Sequence, residues 1–154
     1  MGCHMVAAAH RLATLDDAPR LFEVRRRSIL ELAPPAMSVA DAERWAGQLT
    51  LAGMEQKLRG LEIWIAEQEA AVAGWGAIRD DTLEALYTAP EYAGQGVAAA
   101  LLDRLEGLIR GRGFEAVRAD ASPNALAFYL RRGYRVTGAK TPVGAWPITR
   151  QFPG

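Results

Sequence analysis

Apolar positions fall at helical intervals in the first third of the chain, gather into short β-rich runs in the middle, and return to helical spacing behind a pair of glycines. "AHRLATLDDAPRLFEVRRRSILELA" reads as a short strand followed by a helix. Thr14 or Asp16 can cap that helix, Pro19 suits its first turn, and Leu21, Val24, Ile29 and Leu32 form its apolar stripe. "PPAM" (34–37) breaks it. "SVADAERWAGQL", with Ser38 and Asp41 spaced as in a capping box, predicts a second helix, and "MEQKLRGL" adds a helical turn or two. The period then changes. "EIWIAE", "AVAGWGAIR" and "LEALYT" are rich in β-branched and aromatic residues and predict three consecutive antiparallel strands.

Pro90 ends that ladder after Thr88. Behind Gly94 and Gly96, residues Ala98, Leu101, Leu102, Leu105, Leu108 and Ile109 share one helical face. "FEAVRADA" reads as a strand. "SPNALAFYLRRGY" reads as a helix capped by Ser122, with Pro123 in its first position, Arg131 and Arg132 in its last turn and Gly133 ending it. "YRVTG" and "GAWPITRQF" supply closing strands. The predicted order is β-α-α-β-β-β-α-β-α-β-β, an α/β (α+β) arrangement in one domain over residues 8–154. Residues 1–7, "MGCHMVA", read as a remnant of cloning, so Cys3 and His4 are expected to carry no function.

Composition narrows the function classes. Lys+Arg and Asp+Glu balance at 18 each in 154 residues, so no global positive field points to nucleic acid. A single cysteine excludes an internal disulfide framework and fits a reducing compartment. No apolar run approaches the roughly 20 residues that span a bilayer, and the expected location is the cytoplasm. Two histidines and one cysteine argue against a zinc site. His10 has no serine or cysteine partner evident in the sequence, which argues against a nucleophilic triad.

The glycines carry the main chemical signal. A strand, a glycine loop and a helix start together form an anion site, because the first helical amides lack partners and glycine lets a phosphate approach the backbone. The Gly-Lys-Ser/Thr of a Walker loop is absent. Gly94-Gln95-Gly96-Val97-Ala98-Ala99 matches a dinucleotide fingerprint formally, but that loop belongs after the first strand of a parallel sheet, whereas three hairpin-like strands precede it here.

"LEALYTAPEYAGQGVAAALL" followed by "NALAFYLRRGY" resembles the GNAT superfamily of acyl-CoA-dependent N-acetyltransferases. The family signature Arg/Gln-x-x-Gly-x-Gly/Ala falls on Ala93 to Ala98, with Ala93 in place of the usual Arg or Gln. A second signature falls on Asn124, Ala127, Tyr129, Gly133 and Tyr134. The resemblance implies a central mixed, mostly antiparallel sheet of six to seven strands flanked by about four helices. It also implies acetyl-CoA as cosubstrate, with no metal. Backbone groups of Leu86, Tyr87 and Thr88 would pair with the pantetheine arm, and an amide near Leu86 would polarise the thioester carbonyl. Amides of Gly94, Gln95, Gly96, Val97, Ala98 and Ala99 would hold the pyrophosphate, Asn124 would bond the pantetheine, and Tyr129 would face the sulfur.

Two side chains are candidates for the chemistry. A tyrosine near pKa ~10 giving its proton to a thiolate near ~8.5 works uphill by roughly 2 kcal/mol, so Tyr129 is expected to stabilise the leaving thiolate by hydrogen bonding. Glu84 is the candidate base, placed by strand alternation on the face of Leu86 and Thr88. Trp45 and Trp146 are candidate walls of an acceptor pocket, and Arg25-Arg26-Arg27 reads as a solvated face. The expected activity is transfer of an acetyl group from acetyl-CoA to a primary amine by direct attack, the acceptor being a small molecule or a protein amino group. The alternative is a catalytically silent acyl-CoA-binding sensor or interaction module. The family likeness also allows a homodimer through the C-terminal strands.

Overall fold

The computed structural model describes residues 8–154, so the expectation for residues 1–7 lies outside the described residues. One seven-stranded sheet has the order β1-β2-β3-β4-β5-β7-β6. Its strands are β1 (Ala9–Leu12), β2 (Glu62–Gln68), β3 (Ala71–Arg79), β4 (Thr82–Thr88), β5 (Ala116–Ala121), β6 (Arg135–Val136) and β7 (Trp146–Gln151). Only β4 and β5 run parallel; every other pair is antiparallel. The helices are α1 (Ala18–Leu32), α2 (Val39–Ala46), α3 (Leu51–Gly60), α4 (Val97–Gly111) and α5 (Leu126–Arg131). Among the described residues no helix is long and apolar enough to cross a membrane.

The helices cover both faces of the sheet. On one face α4 buries Leu102, Leu105 and Ile109 against Ile78, Leu83, Val117 and Ile148, and Tyr129 of α5 joins the same cluster. On the other, Leu21 and Val24 of α1 and Met54 of α3 pack on Ile63, Ile65, Trp75 and Ala77. Each such side chain contributes roughly 1.5–3 kcal/mol by burial. The Trp75 indole donates to the Leu21 carbonyl at 3.0 Å, which fixes the height of α1 over the sheet.

Two expectations from the sequence shift, and a third holds. The helical turn near "MEQKLRGL" is a ten-residue helix, capped where the Thr50 hydroxyl accepts from the Gly53 amide. The segment from Ser122 opens with a turn closed by the Ser122 carbonyl, and helical geometry starts only at Leu126, so Pro123 precedes the helix. The Ser38 cap is formed as expected, its hydroxyl accepting from Asp41 at 3.0 Å.

Two glycines on β3 let α4 approach. A Cβ on Gly74 would stand 2.7 Å from the Tyr87 carbonyl oxygen and 2.9 Å from Val97; one on Gly76 would stand 2.6 Å from Leu105. The backbone at Tyr87 cannot yield as a flexible side chain could. Gly74→Ala should therefore destabilise the fold by about 1–3 kcal/mol in denaturant unfolding. Gly107→Ala, on the exposed side of α4 with nothing within 4 Å of the new methyl, should gain about 0.5–1 kcal/mol from helix propensity. Equal stability of the two variants would show that the approach of α4 is not limiting.

Candidate active site

β4 and β5 pair only through Thr82 with Arg118 and Leu83 with Ala119, and then part. Beyond that point β4 keeps its ladder to β3 as far as Thr88, while β5 keeps its ladder to β7. The closed end is held by Arg118, whose amide donates to the Asp81 carbonyl at 2.9 Å and whose guanidinium grips the Asp81 carboxylate at 3.1 and 3.2 Å. Into the parting opens a cavity of about 110 Å³, lined by Leu83 to Tyr87 from β4, Ala119 to Ala121 from β5, and Ser28, Met37, Trp45, Asn124 and Tyr129 among others. A second space of about 430 Å³ shares Met37 and Trp45 with it and runs out past Arg44, Lys140 and Val143.

β4 has an irregularity where it borders this cavity. Ala77 faces Ala85 and Ile78 faces Leu83, so Glu84 has no partner opposite and is the extra residue of a bulge. Leu83 and Leu86, three apart, consequently pack on the same α4-side cluster. The alternation expected to place Glu84 with Leu86 and Thr88 is broken by that bulge. Glu84 nonetheless lines the cavity, with its carboxylate 3.5 Å from Arg79. Thr88 does not line it; it sits opposite Gly74 where β4 runs out toward the glycine loop.

In the glycine loop the backbone is left-handed at two positions. Gly94 and Gly96 take φ of +77° and +82°, values that L side chains rarely adopt, and a Cβ on either would meet nothing within 4 Å. The first bond into α4 runs from the Ala100 amide to the Gly96 carbonyl at 3.0 Å, so the amides of Val97, Ala98 and Ala99 have no intrahelical acceptor. Beside the loop Glu91 is gripped by Arg27 at 2.7 and 3.0 Å, which neutralises a carboxylate at a place suited to an anion.

Around the cavity the side chains differ in character. Tyr129 is 6% exposed, its ring edge-on to Phe128 and Tyr134, each 5.2 Å away. Burial, with a smaller effect from nearby Tyr87 and Glu106, raises its phenol well above the ordinary tyrosine value. It therefore stays protonated, as a donor. Asn124 lines the cavity and its side-chain oxygen accepts from the Ser122 hydroxyl at 2.8 Å. One member of the arginine run leaves the solvated face expected of it: Arg25 is 7% exposed, donates to the Ala46 and Trp45 carbonyls at 3.1 and 3.3 Å, and lies 5.7 Å from the Tyr87 ring. A buried cation is thus satisfied by the C-terminal carbonyls of α2 and an aromatic face, and it holds Trp45 at the cavity wall. Trp146 lines neither space; Lys140 covers its ring at 5.4 Å.

This geometry has known counterparts. A family profile described as an acetyltransferase (GNAT) domain matches residues 33–146. The chain belongs to the GNAT acetyltransferase family. Among its relatives is the uncharacterized N-acetyltransferase YafP of Escherichia coli (strain K12), 27% identical over 132 residues and matched over 84% of each chain. A crystal structure of a GCN5-related N-acetyltransferase from Rhodopseudomonas palustris superposes with a TM-score of 0.88 at 28% identity, covering 97% of this chain and 99% of that one. PaiA N-acetyltransferase from Thermoplasma acidophilum, solved in complex with coenzyme A, shares the fold at a TM-score of 0.79 and 19% identity, over 96% and 100% of the two chains.

For this GNAT chain the structure thus brings Glu84, Leu86, Tyr87, Asn124 and Tyr129 to one cavity, with Gly94 to Gly96 on the turn before α4 and Val97 to Ala99 in the first turn of that helix. Sequence reading missed Asp120, which lines the cavity from β5, and the burial of Arg25. Alternation in "VRADA" could have shown Asp120 leaving the α4 side of the sheet; a triple-arginine run gave no sign of which member turns inward. The raised Tyr129 phenol makes a spectroscopic prediction. The tyrosinate absorbance developed near pH ~10, where an ordinary tyrosine is half ionised, should be the same in wild type and Tyr129→Phe. A smaller signal in the variant would place that phenol in ordinary surroundings.

Proposed function

We propose that this protein is an acetyl-CoA-dependent N-acetyltransferase acting on a primary amine. The observation that carries the reading is the parting of β4 and β5, which leaves the β4 edge from Glu84 onward without a strand partner and leads directly into the glycine loop at the start of α4. The chain fits the cosubstrate on two counts. The open space over Gly94 and Gly96 and the free amides behind them suit a pyrophosphate. The cavity of about 110 Å³ is smaller than the roughly 300–1,000 Å³ of sites that enclose a whole ligand, and matches the acetyl and sulfur end alone.

The residues then divide the work. Backbone groups of Leu86, Tyr87 and Thr88 hold the pantetheine arm as an added strand, and Asn124 bonds it from the opposite side. Amides of Gly94, Gln95, Gly96, Val97, Ala98 and Ala99 hold the pyrophosphate. A β4 amide near Leu86 polarises the thioester carbonyl, next to the bulge at Glu84. The amine enters past Trp45 and Met37, and Glu84 removes its proton. Tyr129 donates a hydrogen bond to the departing thiolate. Full proton transfer was already uphill for an ordinary tyrosine, and the raised phenol makes it more so. Holding amine and thioester in register supplies much of the acceleration, up to about 7–11 kcal/mol.

Calorimetric titration tests this first. Acetyl-CoA and CoA should bind the wild type and NAD should not, while Gly96→Trp, which both strains a positive φ and fills the loop, should weaken acetyl-CoA by about tenfold or more, equivalent to about 1.4 kcal/mol. Absence of acetyl-CoA binding to the wild type would sink the reading. A free-thiol assay over a panel of small amines and peptide amino termini then separates two cases. Thiol release identifies the enzyme. Binding without release favours the silent acyl-CoA module, the reading to which Ala93 gives some support by omitting a side-chain contact at the loop.

A second prediction concerns the loop's charge. Arg27→Ala frees the Glu91 carboxylate beside the glycines and should weaken CoA by about threefold or more, with a steeper loss at low salt. Double replacement with Glu91→Gln should restore it. An unchanged affinity in Arg27→Ala would remove Glu91 from the account.

A further inference from the structure

α4 carries a buried acid that the reading above does not use. Glu106 is 5% exposed, on the helix face turned to the core. It accepts from the Tyr134 hydroxyl at 2.6 Å and from the Arg150 guanidinium at 2.8 Å. The two donors come from the segment that follows α5 and from β7, so three elements distant in sequence meet on one carboxylate. Burying a charge is costly, and well-packed apolar residues often serve stability as well as a buried ion pair. Stability alone is therefore a weak reason for such a group, and its position suggests another.

Tyr134 leads from Glu106 to Tyr129. Its ring stands edge-on to the Tyr129 ring at 5.2 Å, and its amide donates to the Tyr129 carbonyl at 3.1 Å. Three residues earlier on α4, Asp103 pairs with Arg132, and Arg132 lies over the Phe128 ring at 5.7 Å. Two ties from one face of α4 thus clamp the turn that ends α5. The same α4 begins at the glycine loop. The parted strands give Tyr129 no comparable fixed reference, since β4 and β5 make no ladder beyond Leu83.

We propose that Glu106 is a positioning residue: through Tyr134 it sets the Tyr129 phenol at a fixed height relative to the glycine loop, so that a CoA held by its pyrophosphate presents its sulfur to that hydroxyl. The proposal rests on the acetyl-CoA reading and on the role given there to Tyr129. Besides Tyr129, the groups facing the sulfur end are Tyr87 and Glu84 from β4 and Asp120 from β5. None of these is hydrogen-bonded to Glu106.

The experiment compares CoA with acetyl-CoA, which differ at the thiol alone, by calorimetry across about pH 7 to 9.5, a range that brackets the thiol's ordinary pKa. In the wild type CoA should gain on acetyl-CoA as pH rises, because a hydrogen-bonded thiolate is preferred. Tyr129→Phe should remove about tenfold of that gain, as expected for a hydrogen bond to a charged acceptor. Glu106→Gln and Tyr134→Phe should each remove about threefold, and neither should have a further effect in a Tyr129→Phe background. Tyr134→Phe keeps the ring in place and supplies the test should Glu106→Gln fail to fold. Failure of both nucleotides to bind overturns the acetyl-CoA reading and this proposal together. No change in Tyr129→Phe removes Tyr129 from the sulfur and so ends the proposal. A normal gain in Glu106→Gln and Tyr134→Phe beside a reduced one in Tyr129→Phe overturns the positioning role alone, as does a loss that persists without Tyr129.

Discussion

The structure depends on one place where a sheet stops being a sheet. Two parallel strands pair over Thr82–Arg118 and Leu83–Ala119 and go no further. Buried backbone groups normally find partners, so an unpaired strand edge inside a domain demands a reason. Here the Asp81–Arg118 grip shuts one end of the parting, and helices α1 and α4 hold its outer walls. A groove edged by free peptide groups remains, suited to an extended ligand arm. The bulge at Glu84 lies just beyond the last paired residue and turns β4 at the point where the chemistry is proposed.

Everything else keeps that groove in register. Gly74 and Gly76 bring α4 down onto β3, which puts the start of α4 against the end of β4. Trp75 sets α1 by a single hydrogen bond to a helix carbonyl, and its ring lies 5.2 Å from Tyr87 in the next strand. Arg25 carries the same support outward to α2. Its charge is balanced by carbonyl dipoles and an aromatic face, with no carboxylate, so it adds no acid to a pocket that already holds Glu84 and Asp120. On the opposite side Glu106 gathers Tyr134 and Arg150, and burial raises the Tyr134 phenol as it does that of Tyr129. The two tyrosines stay protonated, so each can only donate a proton in a hydrogen bond or accept one on a neutral oxygen.

The fold was legible because it is written in local patterns. Short runs rich in β-branched and aromatic residues gave three strands, the stripe through Leu101, Leu105 and Ile109 gave α4, and the glycines gave a turn at its start, all of which the structure contains. The site was legible at Asn124 and Tyr129 through their resemblance to a known signature, and both line the cavity. Where reading failed, a tertiary effect had overridden a local rule. Strict alternation misassigned Glu84 because a bulge adds a residue, and nothing in "TLEALYT" marks it. Arg25 reads as surface because charge usually is; only the C-terminus of α2, twenty residues away, makes its burial tolerable.

By itself, then, the sequence determined the element order apart from a separate α3, the α/β class, the glycine turn and the family. Those follow from side-chain periodicity, backbone freedom at glycine and short motifs, which act over a few residues. Only the tertiary structure decided that β4 and β5 part after one pair of contacts, that Glu84 is an extra residue, that Arg25 points inward, and that Glu106, Tyr134 and Arg150 meet. Each of these joins groups far apart in the chain. Their energies come from desolvation and from partners that no local pattern names.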